Sequence, residues 1–171
     1  MGAARLARMI RVDHAGEYGA ERIYAGQLAV LGRTETGDIL RHMKDQETAH
    51  KDAFSAMIAK RRVRPTALLP IWHVAGFALG ALTAAMGKRA AMACTVAVEE
   101  AIDEHYAEQA ASFVEGEEPE LHATIEKFRL EELEHRDIGL ANEAELTPGY
   151  RVLTRVIKAG CKVAIAASEI V

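Results

Sequence analysis

An all-α bundle built from two repeated helical hairpins is the fold class that this sequence predicts. Half of its 171 residues are apolar, only 5% are aromatic and only four are prolines, a composition that favours helices over sheets. The motif E-x-x-H occurs twice, at Glu47–His50 and at Glu132–His135. A chain of this length most simply forms one domain, so we expect residues 1–171 to share one core.

The boundaries of the helices follow from glycines, prolines and capping residues. The first helix is predicted from Ala3 to Leu31, before Gly32, and the second from Thr34, a candidate N-cap, to about Arg62. Two further helices are expected after the breaks at Pro65 and Pro70, divided near Gly87 and reaching about Val114. The last two are predicted from Pro119, a first-turn proline, to about Glu143, and from Thr147-Pro148 onward.

The chain repeats itself over residues 3–62 and 88–144. Aligning Glu17 with Glu99 also pairs Tyr24 with Tyr106, and aligning Glu47 with Glu132 places the two E-x-x-H motifs in register. The lone glutamate precedes its motif by 30 residues in the first half and by 33 in the second. Both halves are therefore predicted to be helical hairpins that each supply half of a site.

This pattern predicts a site for two metal ions. Residues three apart on a helix project from nearly the same face, so each motif can offer a carboxylate and an imidazole to one ion. Two such helices opposite two helices that each supply a glutamate give the ligand set of di-iron and di-manganese bundles. The predicted ligands are Glu17, Glu47, His50, Glu99, Glu132 and His135.

Alternatives to these ligands remain open from the sequence. The repeat alignment alone selects Glu17 over Glu21 and Glu99 over Glu100. A single E-x-x-H on a charged helix is also typical of a solvated face or a local ion pair.

The ligand types favour iron or manganese over a closed zinc site, which would use thiolates or fewer ligands. Such a pair can reduce dioxygen and pass on an oxygen atom. Cys94 and Cys161 stand without a C-x-x-C pattern and are predicted to be packing residues, and the chain has no G-x-G-x-x-G fingerprint. Electrons must therefore come with the substrate or from a donor bound in another way.

Charge and hydropathy single out residues 65–87. This stretch is almost uncharged, with basic residues on both sides, and it is long enough for a membrane span to be considered. Pro70 and His73 count against a span, so we expect a helix that lies on one leaflet with its basic flanks at lipid headgroups. The alternative is a buried core helix.

The last helix, about residues 148–170, is predicted to be amphipathic and basic. Arg151, Arg155, Lys158 and Lys162 form one stripe, opposite an apolar side. Either this apolar side packs on the bundle, or it meets a membrane or a protein partner. The N-terminus lacks a secretory signal, so we expect peripheral membrane association at the cytoplasmic face of a bacterial membrane or the matrix face of the mitochondrial inner membrane.

Three long segments carry a family resemblance: "RVDHAGEYGAERIYAGQLAVLGRT", "AMACTVAVEEAIDEHY" and "FRLEELEHRDIGL". They resemble the demethoxyubiquinone hydroxylase family of ubiquinone biosynthesis. The resemblance implies a membrane-bound, ferritin-like di-iron monooxygenase that hydroxylates the ring of a polyprenyl demethoxyubiquinol, using dioxygen and electrons associated with NADH. It implies the same six ligands that the repeat predicts.

The resemblance also suggests roles for other parts of the chain. Because the substrate's tail dissolves in the bilayer, Leu68–Met86 and the last helix are the expected lining and membrane dock. Tyr106 and His105 are candidates for contact with the quinone ring or a nicotinamide, and the alternative is packing behind the ligands. A lipid-binding accessory protein is an expected partner, and nucleic acid is not.

Two other functions remain as alternatives. A ferritin-like iron-handling or peroxide-detoxifying protein would use the same ligands without an organic substrate. A membrane scaffold would have no reason to bind two ions.

Overall fold

A computed structural model describes residues 2–170, and these residues form helices and contain no strand. The helices are α1 (Ala3–Leu31), α2 (Gly37–Arg61), α3 (Leu69–Ala85), α4 (Lys88–Ala110), α5 (Pro119–Ala141) and α6 (Tyr150–Ile170), with a short 3-10 helix at Ala144–Leu146. The all-α prediction is confirmed, and the arrangement is that expected of a ferritin-like bundle. Met1 and Val171, the ends of the predicted domain, lie outside the described residues.

Helices α1 and α2 form one hairpin, α4 and α5 form the other, and the two enclose a common interior. Apolar layers lie at both ends of this interior. The buried side chains of α2 show the pattern in chain order: Leu40, Met43, Glu47, His50, Phe54 and Met57. The same helical stripe thus carries apolar residues at its ends and ionisable residues at its middle. This pattern places the polar centre between two hydrophobic layers.

One predicted helix start is wrong. Helix α2 begins at Gly37, and Thr36, not Thr34, occupies the cap position, without a side-chain cap hydrogen bond. The Thr34 hydroxyl instead donates to the carbonyl of Leu31 at 2.7 Å. Thr34 therefore closes the end of α1, because its hydroxyl bonds backward in the turn rather than forward to α2.

Helix α3 packs against α1 at very short range. A Cβ atom on Gly80 would overlap the carbonyl group of Ile23, and one on Gly26 would overlap the carbonyl oxygen of Phe77. Glycine is required at both positions because the two helix backbones touch there. On the same side of α1, the Tyr18 hydroxyl lies 2.7 Å from Nδ1 of His73.

The outer side of α3 is apolar and exposed. Of its residues only Gly80, Thr83 and Ala84 are buried, whereas Ile71, Val74 and Leu82 are mostly exposed. The alternative of a buried core helix is therefore wrong. Within residues 2–170, no helix combines the length and the apolarity that a membrane crossing requires.

Helix α6 packs on α4 and α1, and its basic stripe is partly paired. Lys158 forms an ion pair with Glu100, and Nζ of Lys162 lies 2.9 Å from Oε2 of Glu104. Arg151 and Arg155 are exposed. The amphipathic helix that was predicted thus uses half of its positive charge to hold itself on the acidic surface of α4.

Replacement of Gly80 by alanine is expected to destabilise the protein by about 1–3 kcal/mol, because the added methyl group must push α3 away from α1. Chemical denaturation measures this loss. Gly160→Ala on α6 is the matched control, since a Cβ atom there has nothing within 4 Å. It should leave the stability unchanged or raise it by at most about 1 kcal/mol. Equal effects of the two substitutions would contradict the close packing of α1 and α3.

Candidate metal centre

The six predicted ligands lie together at the middle of the four-helix interior, and none is more than 1% exposed. They are Glu17 on α1, Glu47 and His50 on α2, Glu99 on α4, and Glu132 and His135 on α5. The repeat thus located all six buried groups. Metal binding by these residues stays a prediction.

The neighbouring glutamates that the sequence left open lie outside this cluster. Glu21 forms ion pairs with Lys44 at 3.2 Å and with Lys51 at 3.4 Å. Glu100 contacts Lys158 on α6. Both glutamates therefore take part in surface ion pairs, and neither faces the centre.

The cluster divides into two overlapping groups that each suit one ion. In each group, one atom from every residue lies within 4.8 Å of the others. One group is Glu17, Glu47, His50 and Glu132, and the other is Glu47, Glu99, Glu132 and His135. The two groups share Glu47 and Glu132, which is the arrangement needed for two ions bridged by carboxylates.

The polar atoms of this cluster support the metal assignment. Buried oxygens of Glu17, Glu47, Glu99 and Glu132 have no hydrogen-bond partner among the described residues, and neither does Nδ1 of His135. Buried polar atoms normally have partners, because an unpaired one costs free energy. Carboxylate oxygens and an imidazole nitrogen are ligands of iron and manganese. The residues present therefore fit a pair of such ions.

Electrostatics in the metal-free cluster are unfavourable for several carboxylates at once. Burial raises the pKa of Glu47 and Glu99 well above the ordinary value, and the charge of Glu132 raises it further. Burial also raises the pKa of Glu132, but the nearby imidazoles of His135 and His50 outweigh this effect and bring it to about 2. Metal ions would supply the positive charge that removes this conflict.

Two tyrosines orient the lone glutamates, each from the opposite half of the chain. The hydroxyl of Tyr24 on α1 donates to Glu99 on α4 at 2.5 Å, and that of Tyr106 on α4 donates to Glu17 on α1. Burial raises the pKa of both phenols, and the charges of Glu99 and Glu17 add to this effect. Both hydroxyls therefore stay protonated and act as donors. The repeat had already paired these tyrosines, although it assigned no role to Tyr24.

His105 lies behind Tyr106 in a polar cluster near the surface. Its Nε2 lies 3.1 Å from Oδ1 of Asp13, to which the side-chain amide of Gln109 also donates at 2.7 Å. This cluster borders a cleft of about 290 Å³ that Arg5 helps to line. The positions of Tyr106 and His105 fit the alternative of packing behind the ligands, and contact with quinone or nicotinamide stays a prediction.

An apolar cleft of about 380 Å³ lies between α3 and α6, with α1 and α4 forming its floor. Trp72 and Ser168 join its two walls through a hydrogen bond of 3.1 Å. The floor includes Gly16 and Val98, which are the chain neighbours of Glu17 and Glu99. The sequence predicted that the walls would come from α3 and the last helix, but it gave no signal for the floor.

A family model described as "Ubiquinone biosynthesis protein COQ7" matches residues 4–168. The chain belongs to this family. The resemblance seen in the sequence is thereby confirmed.

Named relatives cover nearly the whole chain. A protein from Bos taurus, named "NADPH-dependent 3-demethoxyubiquinone 3-hydroxylase, mitochondrial", is 60% identical over 95% of this chain and 76% of its own length. The Homo sapiens protein of the same name is 58% identical over 97% of this chain and 78% of its own length. A "3-demethoxyubiquinol 3-hydroxylase" from Rhodospirillum rubrum is 58% identical over 98% of this chain and 79% of its own length.

These names bear on the predicted reductant. The mammalian names specify NADPH, whereas the sequence resemblance implied NADH. NADH as the reductant therefore stays a prediction for this chain.

The metal-free protein is expected to lose stability as the pH rises above 4.5, the ordinary pKa of a glutamate side chain. Glu47 and Glu99 have raised pKa values when folded, so the folded state binds protons that the unfolded state releases. Such stability is present at low pH and is lost as the pH rises through the folded pKa. His50 acts in the same direction above its ordinary pKa of 6.5, because burial lowers its pKa but the nearby carboxylates of Glu132 and Glu17 raise it to about 12.

Denaturation of metal-free and iron-loaded protein across this pH range measures the effect. The loaded protein should depend less on pH, since bound ions replace the protons. Stability of the metal-free protein that increases with pH would contradict the assignment of the buried charges.

Proposed function

We propose that this protein is a di-iron monooxygenase that hydroxylates the ring of a polyprenyl demethoxyubiquinol. The family match over residues 4–168 and the printed names of relatives at 58–60% identity support a hydroxylase of ubiquinone biosynthesis. The observation that carries the metal part is the pair of buried groups that share Glu47 and Glu132. The apolar lining of the cleft suits an organic substrate better than it suits iron storage.

The residues that would hold the ions come from both halves. Glu17 and His50 would complete the first position, Glu99 and His135 the second, and Glu47 and Glu132 would join them. Iron, when bound, supplies the redox chemistry that activates dioxygen. Because neither half contains all the ligands of either ion, we propose that the two halves and the added helices work as a single domain.

The apolar cleft suits the substrate. A quinol ring with an isoprenoid tail needs a pocket lined by apolar side chains, and the cleft walls include Trp72, Leu79 and Ile165. Its floor includes Gly16 on α1 and Val98 on α4, and these two helices also carry the proposed ligands Glu17 and Glu99. We propose that the ring passes between α1 and α4 to reach the ions. The tail would remain between α3 and α6.

The stoichiometry of the hydroxylation shows which electrons and protons the site must receive. Hydroxylation places one oxygen atom of dioxygen on the ring, releases the other as water, and consumes two electrons and two protons. A nicotinamide nucleotide is the reductant we propose. The phenols of Tyr24 and Tyr106 hold Glu99 and Glu17 in place, and the apolar layers around the cluster exclude water from it.

The same helices provide a surface for lipid. Exposed apolar side chains on α3 and α6 include Val74, Leu82, Val156 and Val163, and Arg151 and Arg155 are exposed beside them on α6. Apolar residues with nearby arginines suit an anionic membrane surface. We propose peripheral binding at the cytoplasmic or matrix face, with a lipid-binding accessory protein as a further partner of this surface.

Replacement of His135 by alanine, or of Glu132 by alanine, is expected to lower hydroxylation at least about a hundredfold, because one ion position loses a ligand. The assay incubates the iron-loaded protein with a short-tail demethoxyquinone, NADH or NADPH and oxygen, and detects one added oxygen atom by mass spectrometry. His42→Ala is the control, since this histidine lies exposed on α2. Full activity of either centre variant, with helix content preserved, would contradict the proposal.

The variant Val74→Asp/Val163→Asp is expected to bind anionic phospholipid vesicles at least about tenfold more weakly, because two apolar contacts are lost and two negative charges are added. Cosedimentation with phosphatidylglycerol vesicles measures this. Val114→Asp is the matched control, because Val114 is 69% exposed whereas Val74 and Val163 are each 67% exposed, and it lies in the loop after α4. A similar loss in the control would place the lipid contact elsewhere.

A further inference from the structure

The residue before each E-x-x-H glutamate occupies the same place in both halves of the chain. Gln46 precedes Glu47, and Glu131 precedes Glu132, so the register that aligns the two motifs also aligns these residues. Both lie beside the ion cluster without belonging to either ion group.

Each of the two side chains reaches the histidine of the opposite half. Oε2 of Glu131 lies 2.9 Å from Nε2 of His50, and Oε1 of Gln46 lies 2.9 Å from Nε2 of His135. A carboxylate oxygen or an amide oxygen only accepts hydrogen bonds. The Nε2 atom of each ring must therefore carry the hydrogen.

The other ring nitrogen, Nδ1, is then the atom that an ion would bind, displacing the proton that Nδ1 carries in the metal-free protein. Nδ1 of His50 lies 3.1 Å from Oε1 of Glu132, and Nδ1 of His135 lies 3.1 Å from Oε1 of Glu47. Both nitrogen atoms therefore face the shared carboxylates. A ligating imidazole needs a lone pair on the atom that faces the metal, and a hydrogen-bond acceptor behind the ring fixes that form and its orientation. Gln46 and Glu131 meet this requirement in both halves.

The two acceptors differ in charge. Glu131 is a carboxylate whose other oxygen lies 3.6 Å from Nζ of Lys127, a lysine that is itself two-thirds exposed and thus screened by water. Gln46, at the equivalent place, is neutral. A carboxylate behind an imidazole makes the ring a stronger donor to a metal than a neutral amide does.

We propose that Gln46 and Glu131 are positioning residues that make the two ion positions unequal. The negatively charged Glu131 strengthens the position that includes His50, which therefore fills first, while Gln46 orients His135 without adding charge. This inference rests on the proposed metal centre. It goes beyond that proposal, because the same six ligands could also form two positions of equal affinity.

Partial loading of crystals tests this order. Metal-free protein is given one equivalent of Fe²⁺ without oxygen, and anomalous diffraction at the iron edge compares the occupancy of the two positions. Calorimetric titration with Fe²⁺ measures the two affinities in solution. In the wild-type protein we expect the His50 position to dominate, with an affinity about tenfold higher than that of the His135 position.

Three variants separate the charge from the hydrogen bond. Glu131→Gln keeps an acceptor but removes the charge, so the two positions should become equally occupied. The double variant Gln46→Glu/Glu131→Gln moves the charge to the other half and should reverse the order of filling. Glu134→Gln is the matched control, because this exposed glutamate is on the same helix, with its Oε1 4.0 Å from His42, and it should leave the preference unchanged.

The outcomes are distinct. Equal occupancy of the two positions in the wild-type protein, or an unchanged order of filling in the double variant, would overturn this inference. Neither result would contradict the proposed metal centre. Failure of the wild-type protein to bind Fe²⁺ at all would overturn both. Thermal unfolding of each metal-free variant verifies that the fold is intact.

Discussion

Four carboxylates and two imidazoles are buried together within one small volume at the middle of the bundle. Each buried charge costs several kcal/mol unless an opposite charge or hydrogen bonds compensate it. The protein's own cations do not suffice, because oxygens of Glu47 and Glu99 lack partners among the described residues. Two divalent ions would supply the missing positive charge. The apolar layers around the cluster then keep water away from it, which strengthens every interaction inside.

Reciprocity between the two halves explains how the sequence builds this centre. Tyr24 and Tyr106 each hold the lone glutamate of the opposite half, and each E-x-x-H helix supports the histidine of the other. The same residue types at the same repeat positions thus complete a site that neither hairpin forms alone. We propose that departures from the repeat, such as Gln46 opposite Glu131, would give the two proposed ion positions different properties.

The sequence predicted the parts that depend on one helix or on the repeat, and it missed those that depend on which helices face each other. The helix α1 and the six buried residues of the proposed metal centre followed from period and register, so Glu17 could be distinguished from Glu21. The apolar residues of α3 surround that helix, so its pattern did not show which side packs on α1. The start of α2 was predicted wrongly at Thr34 because a threonine in a turn can hydrogen-bond to either neighbouring helix. The contacts of Gln46 and Glu131 could not be predicted, since both residues read as ordinary surface positions.

A crystal structure of the iron-loaded protein would show whether the six buried side chains hold two ions. We predict two iron ions inside the four-helix interior, both bound by Glu47 and Glu132, with Nδ1 of His50 on one and Nδ1 of His135 on the other. A single ion, or ions bound only at the surface with the buried carboxylates left in their metal-free arrangement, would contradict it.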